Sequence, residues 1–448
     1  MLGTQLPLVS VLPFLGLLLA IALAPLLAPR WWHSNGHKAM VAALAALPVL
    51  WLLGSSMGDP GRVVLAEKAH EYLGFIVVIG ALFIITGGIN IEGSLAGTPL
   101  VNTGVIGLGA VLANLVGTTG ASVLLIRPLL RANKSRQRTT HIVIFFTFVV
   151  ANCGGLLTPI GDPPLLLGFL KGVPFTWTLR LWPQWLTATA FLLVIFNVWD
   201  QVVFDREERA RPGSQLEQVM RHEPLRVVGM ASIGALVGVL ATIISAGQAA
   251  AAGRPWATGV QEAIIVALAG IAYVATPRDN RERNGFTFGP LVEVAVVFAG
   301  IFVTMAPVLE ILNAWSQSAR TVLGMSFGVS QPWQFFWTSG ALSSVLDNAP
   351  TYLAFAASAA GLEGVAAHGS YIGTLAMDPE GARVLAAVAT GSVFMGANTY
   401  IGNAPNFMVR SIAEESGIKM PSFFGYMAYS CGILLPIFVL ITVVFFRP

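Results

Sequence analysis

Residues 155–164 read GLLTPIGDPP, and residues 396–405 read GANTYIGNAP. At an offset of 241 they share Gly155/Gly396, Thr158/Thr399, Ile160/Ile401, Gly161/Gly402 and Pro164/Pro405, five of ten positions, with Asp162 opposite Asn403. Each string interrupts an overlong apolar stretch, 141–170 or 384–415. Helix breaks at matching places in two halves of an apolar chain are the sequence mark of a duplicated transporter whose site lies at the breaks. Gly and Pro alone can serve close packing or kinks. That reading does not explain why Asn, Thr and Asp gather at the same points.

The composition sets the solvent. Of 448 residues 55 % are apolar and only 10 % charged, against about 25 % charged in soluble domains. A chain so poor in charge has lipid as its outer solvent. The formal charge of +3 is no sign of a nucleic-acid partner, because in such chains the placement of Lys and Arg matters more than their sum. Cys153 and Cys431 both fall in apolar stretches and read as small core residues, with no disulfide framework or CxxC spacing. No cofactor motif stands out. The run 8–28 has no Lys or Arg before it and is longer than a signal-peptide core, so it is expected to be a retained span.

Ten apolar segments can cross the roughly 30 Å of hydrocarbon: 8–28, 39–55, 72–88, 141–170, 181–201, 227–248, 260–276, 291–311, 384–415 and 426–446. Two others, 101–131 and 332–361, break in the middle at Gly117-Thr118-Thr119-Gly120 and Asp347-Asn348-Ala349-Pro350. Their arms are too short to span at about 1.5 Å per residue, so both are expected to be re-entrant hairpins. Non-helical backbone survives at that depth only inside protein or beside a watery cavity. The fold expected is an all-α polytopic membrane protein of two inverted repeats, each with five spans and one hairpin. The N-terminal repeat is 1–201 and the C-terminal repeat 227–448. The polar segment 202–226, with Pro212 and Gly213, is the cytoplasmic linker.

Charge gives the orientation. With both termini outside the inner (plasma) membrane, the inside segments are 29–38, 89–100, 127–140, 202–226, 277–290 and 410–425. They hold 17 of the 25 Lys and Arg residues, including the cluster Arg127, Arg131, Lys134, Arg136 and Arg138. This is the bias that cytoplasmic loops carry.

Four polar patches fall at the breaks. They are Asn114, Thr118, Thr119 and Ser122; Asn152, Thr158 and Asp162; Ser343, Ser344, Asp347, Asn348 and Thr351; and Asn398, Thr399, Asn403 and Asn406. All are hydroxyls, amides or carboxylates, the hard oxygen donors that suit Na⁺ or H⁺, and no Cys–His cluster offers a soft metal site. Carboxylates at membrane depth mark pathways by default, which makes Asp162 and Asp347 candidate Na⁺ ligands. Burial favours the neutral acid and a bound cation favours the carboxylate, so one group can bind Na⁺ and release it on protonation. Asp347 also fits as a helix cap before Pro350. Glu293 and Glu310, near the two ends of one span, are expected at the interface. So are Trp31, Trp32, Trp182, Trp185, Trp333 and Trp337.

The stretches NLVGTTGASVLLIRPLLRAN (114–133), NCGGLLTPIGDPPLLLGFLKGVPF (152–175), SSVLDNAPTYLAF (343–355) and GANTYIGNAPNFMVRSIAEESG (396–417) resemble the ion transporter superfamily. The likeness is to its branch of NhaD-type sodium/proton antiporters and citrate transporters. It implies a homodimer of two-domain protomers, each with a scaffold and a hairpin-bearing transport domain that moves like an elevator. Carboxylate carriers of the superfamily use Ser-Asn-Thr triplets at their hairpin tips. This chain instead has Gly-Thr-Thr-Gly and Asp-Asn-Ala-Pro there, and Asp347 puts negative charge where a carboxylate substrate would sit.

The sequence therefore points to a cation-coupled secondary transporter, with Na⁺/H⁺ antiport first. Na⁺- or H⁺-coupled citrate or dicarboxylate transport is the alternative, then export of an arsenite-type oxyanion. An intramembrane aspartyl hydrolase also pairs two membrane aspartates, but position 159 is Pro, so its GxGD signature is absent. The partners expected are lipid and a small ion or anion.

Overall fold

The computed structural model describes residues 2–93, 95–210, 226–318, 321–322, 325–326 and 329–447. Most of the linker segment 202–226, including Pro212 and Gly213, lies outside the described residues. The helices are α1 (Leu12–Leu27), α2 (Asn35–Trp51), α3 (Gly58–Gly87), α4 (Pro99–Ala132), α5 (Thr140–Val149), α6 (Pro163–Leu170), α7 (Trp182–Ala210) and α8 (Met230–Ala251). Then come α9 (Val260–Ala275), α10 (Gly289–Ser318), α11 (Pro332–Ser343), α12 (Asn348–Leu362), α13 (Tyr371–Met377), α14 (Pro379–Met395), α15 (Ala404–Glu415) and α16 (Phe423–Phe445). Short helical turns occupy Pro29–Trp32 and Arg278–Arg283. Among the described residues, eight helical stretches are long and apolar enough to cross a membrane. The chain is a polytopic, nearly all-helical membrane protein.

One of those eight does not run straight. The backbone of α4 breaks at Gly117, with φ 78° and ψ 156°, a conformation open in practice to glycine alone. Asn102 Nδ2 donates to Asn133 Oδ1 at 3.0 Å and Asn133 Nδ2 donates to Asn102 Oδ1 at 2.8 Å. In a straight helix those residues would stand about 46 Å apart. The two arms therefore double back at Gly117. Helices α11 and α12 do the same around residues 344–347, since the rings of Phe335 and Phe355 lie 6.4 Å apart across twenty residues, about 30 Å of straight helix.

The stretch 141–170 is α5, an irregular segment and α6, and 384–415 belongs to α14 and α15 with an irregular segment between them. Helix α14 begins at Pro379 and α3 at Gly58, both ahead of the apolar runs, because Asp378 caps α14 through Gly381 N at 2.7 Å and polar residues extend α3 beyond the hydrocarbon. Every residue from His141 to Val149 is buried, and so are most of α12 and α14. The broken helices form the centre, and the longer apolar helices surround them.

The segments between helices collect at two ends. Strands β1 (Asn90–Glu92) and β2 (Arg226–Val228) pair antiparallel, with Asn90 opposite Val228. Arg283 pairs with Glu92, Arg131 Nη2 donates to Ile91 O at 2.7 Å, and Asn35 Nδ2 donates to Gly289 O at 3.2 Å. Thr140 Oγ1 donates to Lys419 O at 3.3 Å. These bonds join the five basic segments expected inside, 202–226 through Arg226, and segment 89–100 between them, into one rim. At the opposite end Glu71 pairs with Lys171 at 2.5 Å and Lys68 at 3.0 Å. A second short antiparallel pair joins Thr321–Val322 to Met325–Ser326.

Candidate transport site

The four polar patches meet at the centre of the molecule. Asp162, the residue before α6, is 1 % exposed. Its Oδ1 accepts from Thr118 Oγ1 at 2.8 Å and from Asn403 Nδ2 at 3.2 Å, while Oδ2 accepts from Asn348 Nδ2. Those three donors come from the first hairpin, the second break and the second hairpin. Among the described residues no Lys, Arg or His pairs with Asp162.

Local sequence explains the placement. Pro163 and Pro164 open α6, and Pro405 is the second residue of α15; proline suits a first helical turn, whose N–H groups have no intrahelical partner. Gly155 stands against Gly161 and Gly396 against Gly402, with no room for a Cβ between them. The two breaks thus close on themselves in the same way.

The bonds that seat each hairpin on its break also come in pairs. Thr158 Oγ1 donates to Asn114 O at 2.5 Å, and Thr399 Oγ1 donates to Ser344 O at 2.6 Å. Both carbonyls lie three residues before the hairpin turn, at Gly117 and at Asp347. Thr118 and Asn348, each one residue past the turn, both donate to Asp162. Asn114 is fully used: Nδ2 donates to Ala110 O and Gly154 O, and Oδ1 accepts from Leu157 N. Ser343 Oγ donates to Ser392 O at 2.6 Å, and Ser344 Oγ donates to Gly340 O and accepts from Asn398 Nδ2.

The two broken stretches are joined through amides. Asn152 Nδ2 donates to Asn406 Oδ1 at 2.7 Å, and Asn403 Nδ2 reaches Asn152 Oδ1 at 3.3 Å. Asn406 Nδ2 in turn donates to Gly396 O and Thr399 O, both at 2.8 Å. Asp347 is only partly buried. Its Oδ1 accepts from Ala349 N at 3.1 Å, capping α12, and its carbonyl accepts from Thr351 Oγ1 at 3.0 Å. Thr119 is half-buried beside Thr118. Ser122 Oγ, Asn348 Oδ1 and Asn398 Oδ1 are buried with no hydrogen-bond partner among the described residues. Their oxygens keep lone pairs that can serve a cation.

Several supports were not singled out from the sequence. Trp185 Nε1 donates to Gly154 O at 2.9 Å, so this tryptophan holds the first break instead of anchoring at an interface. Tyr426, exactly 241 residues further on, donates its hydroxyl to Ala397 O at 3.0 Å in the second break. Extending the same offset beyond the strings would have found the pair. Ser430 Oγ donates to Asn398 O at 2.7 Å and Thr178 Oγ1 to Leu157 O at 2.9 Å. Trp32 is 7 % exposed and packs inward, whereas Trp31, Trp182 and Trp333 are 36 % exposed or more. Glu310, expected at an interface, is 7 % exposed with His368 3.5 Å away. Cys153 is buried, but Cys431 faces outward.

Long apolar helices packed around broken helices, with a buried carboxylate among hydroxyls and amides, define a multi-pass membrane transport protein of the secondary type. The family described as "Putative citrate transport" matches residues 3–446, and the chain belongs to it. No curated protein matches the chain.

Proposed function

We propose that this protein is a cation-coupled secondary transporter that exchanges Na⁺ for H⁺ at a site centred on Asp162 and flanked by Asp347. The observation that carries the reading is the isolation of Asp162: it is buried, and only hydroxyl and amide donors surround it. An ionised carboxylate in such a place needs a countercharge, and without one it takes a proton. Competition between a cation and a proton for one carboxylate is the least that exchange requires. The ion-binding set proposed with Asp162 and Asp347 is Asn114, Thr118, Thr119, Ser122, Asn152, Thr158, Ser343, Ser344, Asn348, Thr351, Asn398, Thr399, Asn403 and Asn406, of which Thr118, Asn348 and Asn403 bond Asp162 directly.

The chain is read as two inverted repeats, 1–201 and 227–448, joined by 202–226. The paired hydrogen bonds of Thr158 and Thr399 support that reading. The orientation proposed in the inner membrane puts the basic rim in the cytoplasm and both termini outside. Homodimers with an elevator-like shift of the hairpin-bearing part follow from the superfamily resemblance.

A second reading is favoured by the family description: Na⁺- or H⁺-coupled transport of citrate or a dicarboxylate. Proteoliposomes with an internal pH dye separate the two. Proton movement driven by Na⁺ or Li⁺ alone, and lost in Asp162→Asn, is the result expected for exchange. Flux that appears only when citrate or succinate is added, with no response to cations alone, overturns exchange and supports the second reading.

A further inference from the structure

A cleft of about 550 Å³ lies between the turn Phe175–Leu181 with the start of α7 and the segment joining α13 to α14. Trp177 Nε1 donates to Ala376 O at 3.1 Å and ties the two walls together. Arg180 lies over the Trp177 ring, 5.6 Å from its centroid. On the other wall Arg383 pairs with Glu380 at 3.7 Å with both side chains more than half exposed, a contact of little worth that a better acceptor displaces. Asp378 and Gln184 also line the cleft. Gln184 is 8 % exposed, and its Oε1 is buried with no hydrogen-bond partner among the described residues.

We propose that this cleft binds the headgroup of an aminophospholipid, with phosphate on Arg180 and Arg383 and the ammonium group beside Gln184 and Asp378. Guanidinium groups match phosphate oxygens in bidentate geometry, and the ammonium N–H groups are the donors that the Gln184 oxygen lacks. The charge balance selects a zwitterion: Arg180 and Arg383 share the cleft wall with Asp378, and Glu380 pairs with Arg383, so a simple anion gains little from the site as a whole. The surroundings select a lipid. Met377 on the cleft wall is 75 % exposed, and Leu179 and Trp182, which flank the lining residues Arg180 and Leu181 in the chain, are 46 % and 58 % exposed. A soluble ligand leaves that apolar skirt bare, whereas acyl chains cover it, and Trp is the residue that favours headgroup depth.

The test uses purified full-length protein in detergent and native mass spectrometry. Dioleoyl phosphatidylethanolamine, phosphatidylcholine and phosphatidylglycerol are offered together in equal amounts. Wild type is expected to retain phosphatidylethanolamine about tenfold over phosphatidylcholine, whose methylated nitrogen has no N–H to donate. Arg180→Gln/Arg383→Gln is expected to lose most of that retention. Gln184→Leu should bring the ratio of the two lipids towards one while phospholipid still binds. Equal retention of the two lipids by wild type, or unchanged retention in the double variant, overturns the proposal. Displacement of the lipid by millimolar inorganic phosphate at constant ionic strength also overturns it, and marks a soluble-anion site instead.

Discussion

Asn403 donates its Nδ2 hydrogen to Asp162 Oδ1 at 3.2 Å, so the residue that precedes α15 bonds to the residue that precedes α6. Each opens the second helical part of a broken stretch, and each stands where its partner's half-helix begins. The centre of the proposed site is therefore an acid–amide pair: the first broken stretch supplies the carboxylate and the second supplies a neutral donor. Substitutions that keep shape but change charge can separate what this pair does for the fold from what it does for transport.

Asp162→Asn is expected to fold almost normally. The new amide oxygen can keep Thr118 and Asn403, and its NH₂ group would face Asn348 Nδ2. Asn348 Oδ1 has no partner, so rotating that amide by half a turn brings an acceptor to the new donor. Thermal unfolding in detergent should then shift by no more than about 1 kcal/mol equivalent. Asp162→Ala leaves three donors unsatisfied and should cost several times more, at about 1–3 kcal/mol each. Saturating Na⁺ should stabilise wild type, by about 2.7 kcal/mol at a hundredfold excess over Kd, and leave Asp162→Asn unmoved. Equal Na⁺ stabilisation in both proteins would remove Asp162 from the ion site.

Thr158→Val and Thr399→Val test whether the two hairpins are seated by equivalent bonds. Each loses a hydroxyl that reaches the carbonyl three residues before a hairpin turn. Thr399 Oγ1 also accepts from Ile401 N at 3.2 Å and Gly402 N at 3.1 Å. With each bond worth about 1 kcal/mol net, Thr158→Val should lower stability by about 1 kcal/mol and Thr399→Val by about 2–3 kcal/mol. The order of the two melting temperatures is the check; a reversed order contradicts this account of the breaks.

The broken helices and the convergence of their polar groups were legible in the sequence because they break two rules at once. Gly117, Asp162, Asp347 and Asn403 put turn chemistry and polar atoms inside stretches otherwise fit for hydrocarbon. The rim was legible through Lys and Arg placement. Trp185 was not, because an amphipathic residue near the end of an apolar stretch reads the same whether its N–H meets water or a buried carbonyl. Glu310 was misplaced for a related reason: its neighbour His368 lies 58 residues away, and only packing brings them together. Ser392 and Ser430 sit in apolar helices where a hydroxyl usually bonds back to its own turn, so nothing local separates Ser430, which holds Asn398 O, from an idle one.

The base of the first hairpin depends on a buried ion pair. Arg136 Nη2 lies 2.6 Å from Asp200 Oδ1 with both side chains fully buried, and Asn102 and His141 also bond to that carboxylate. Arg136→Met or Asp200→Asn breaks the buried pair and leaves Asp200 with only His141 and Asn102, or Arg136 with Glu207 at 3.8 Å as its carboxylate partner, at a cost of up to about 3–5 kcal/mol. Arg136→Met/Asp200→Asn removes both members of the pair and should recover part of that loss, less what Glu207 loses with Arg136 gone. Ion selectivity in proteoliposomes should stay as in wild type for whatever fraction inserts. Additive losses in the double variant would mean the pair is not coupled as the geometry requires.

Asp347→Asn separates capping from ion coupling. The Asp347 carboxylate accepts from Ala349 N at the start of α12, and Asn caps helices about as well as Asp. Stability should therefore change by no more than about 0.5 kcal/mol, whereas Asp347→Ala should lose about 1 kcal/mol or more. If Asp347 only caps, Asp347→Asn transports like wild type and Asp347→Ala is weaker in proportion to its stability. If the carboxylate shares the cation with Asp162, Asp347→Asn loses Na⁺-driven proton movement while its melting temperature stays in place. Proteoliposome flux and thermal unfolding measured on the same preparations decide between the two roles. Citrate gives an independent reading of the same variant: removing the negative charge at this hairpin turn should improve binding of a carboxylate substrate, if one enters there, and should do nothing for a site that takes only cations.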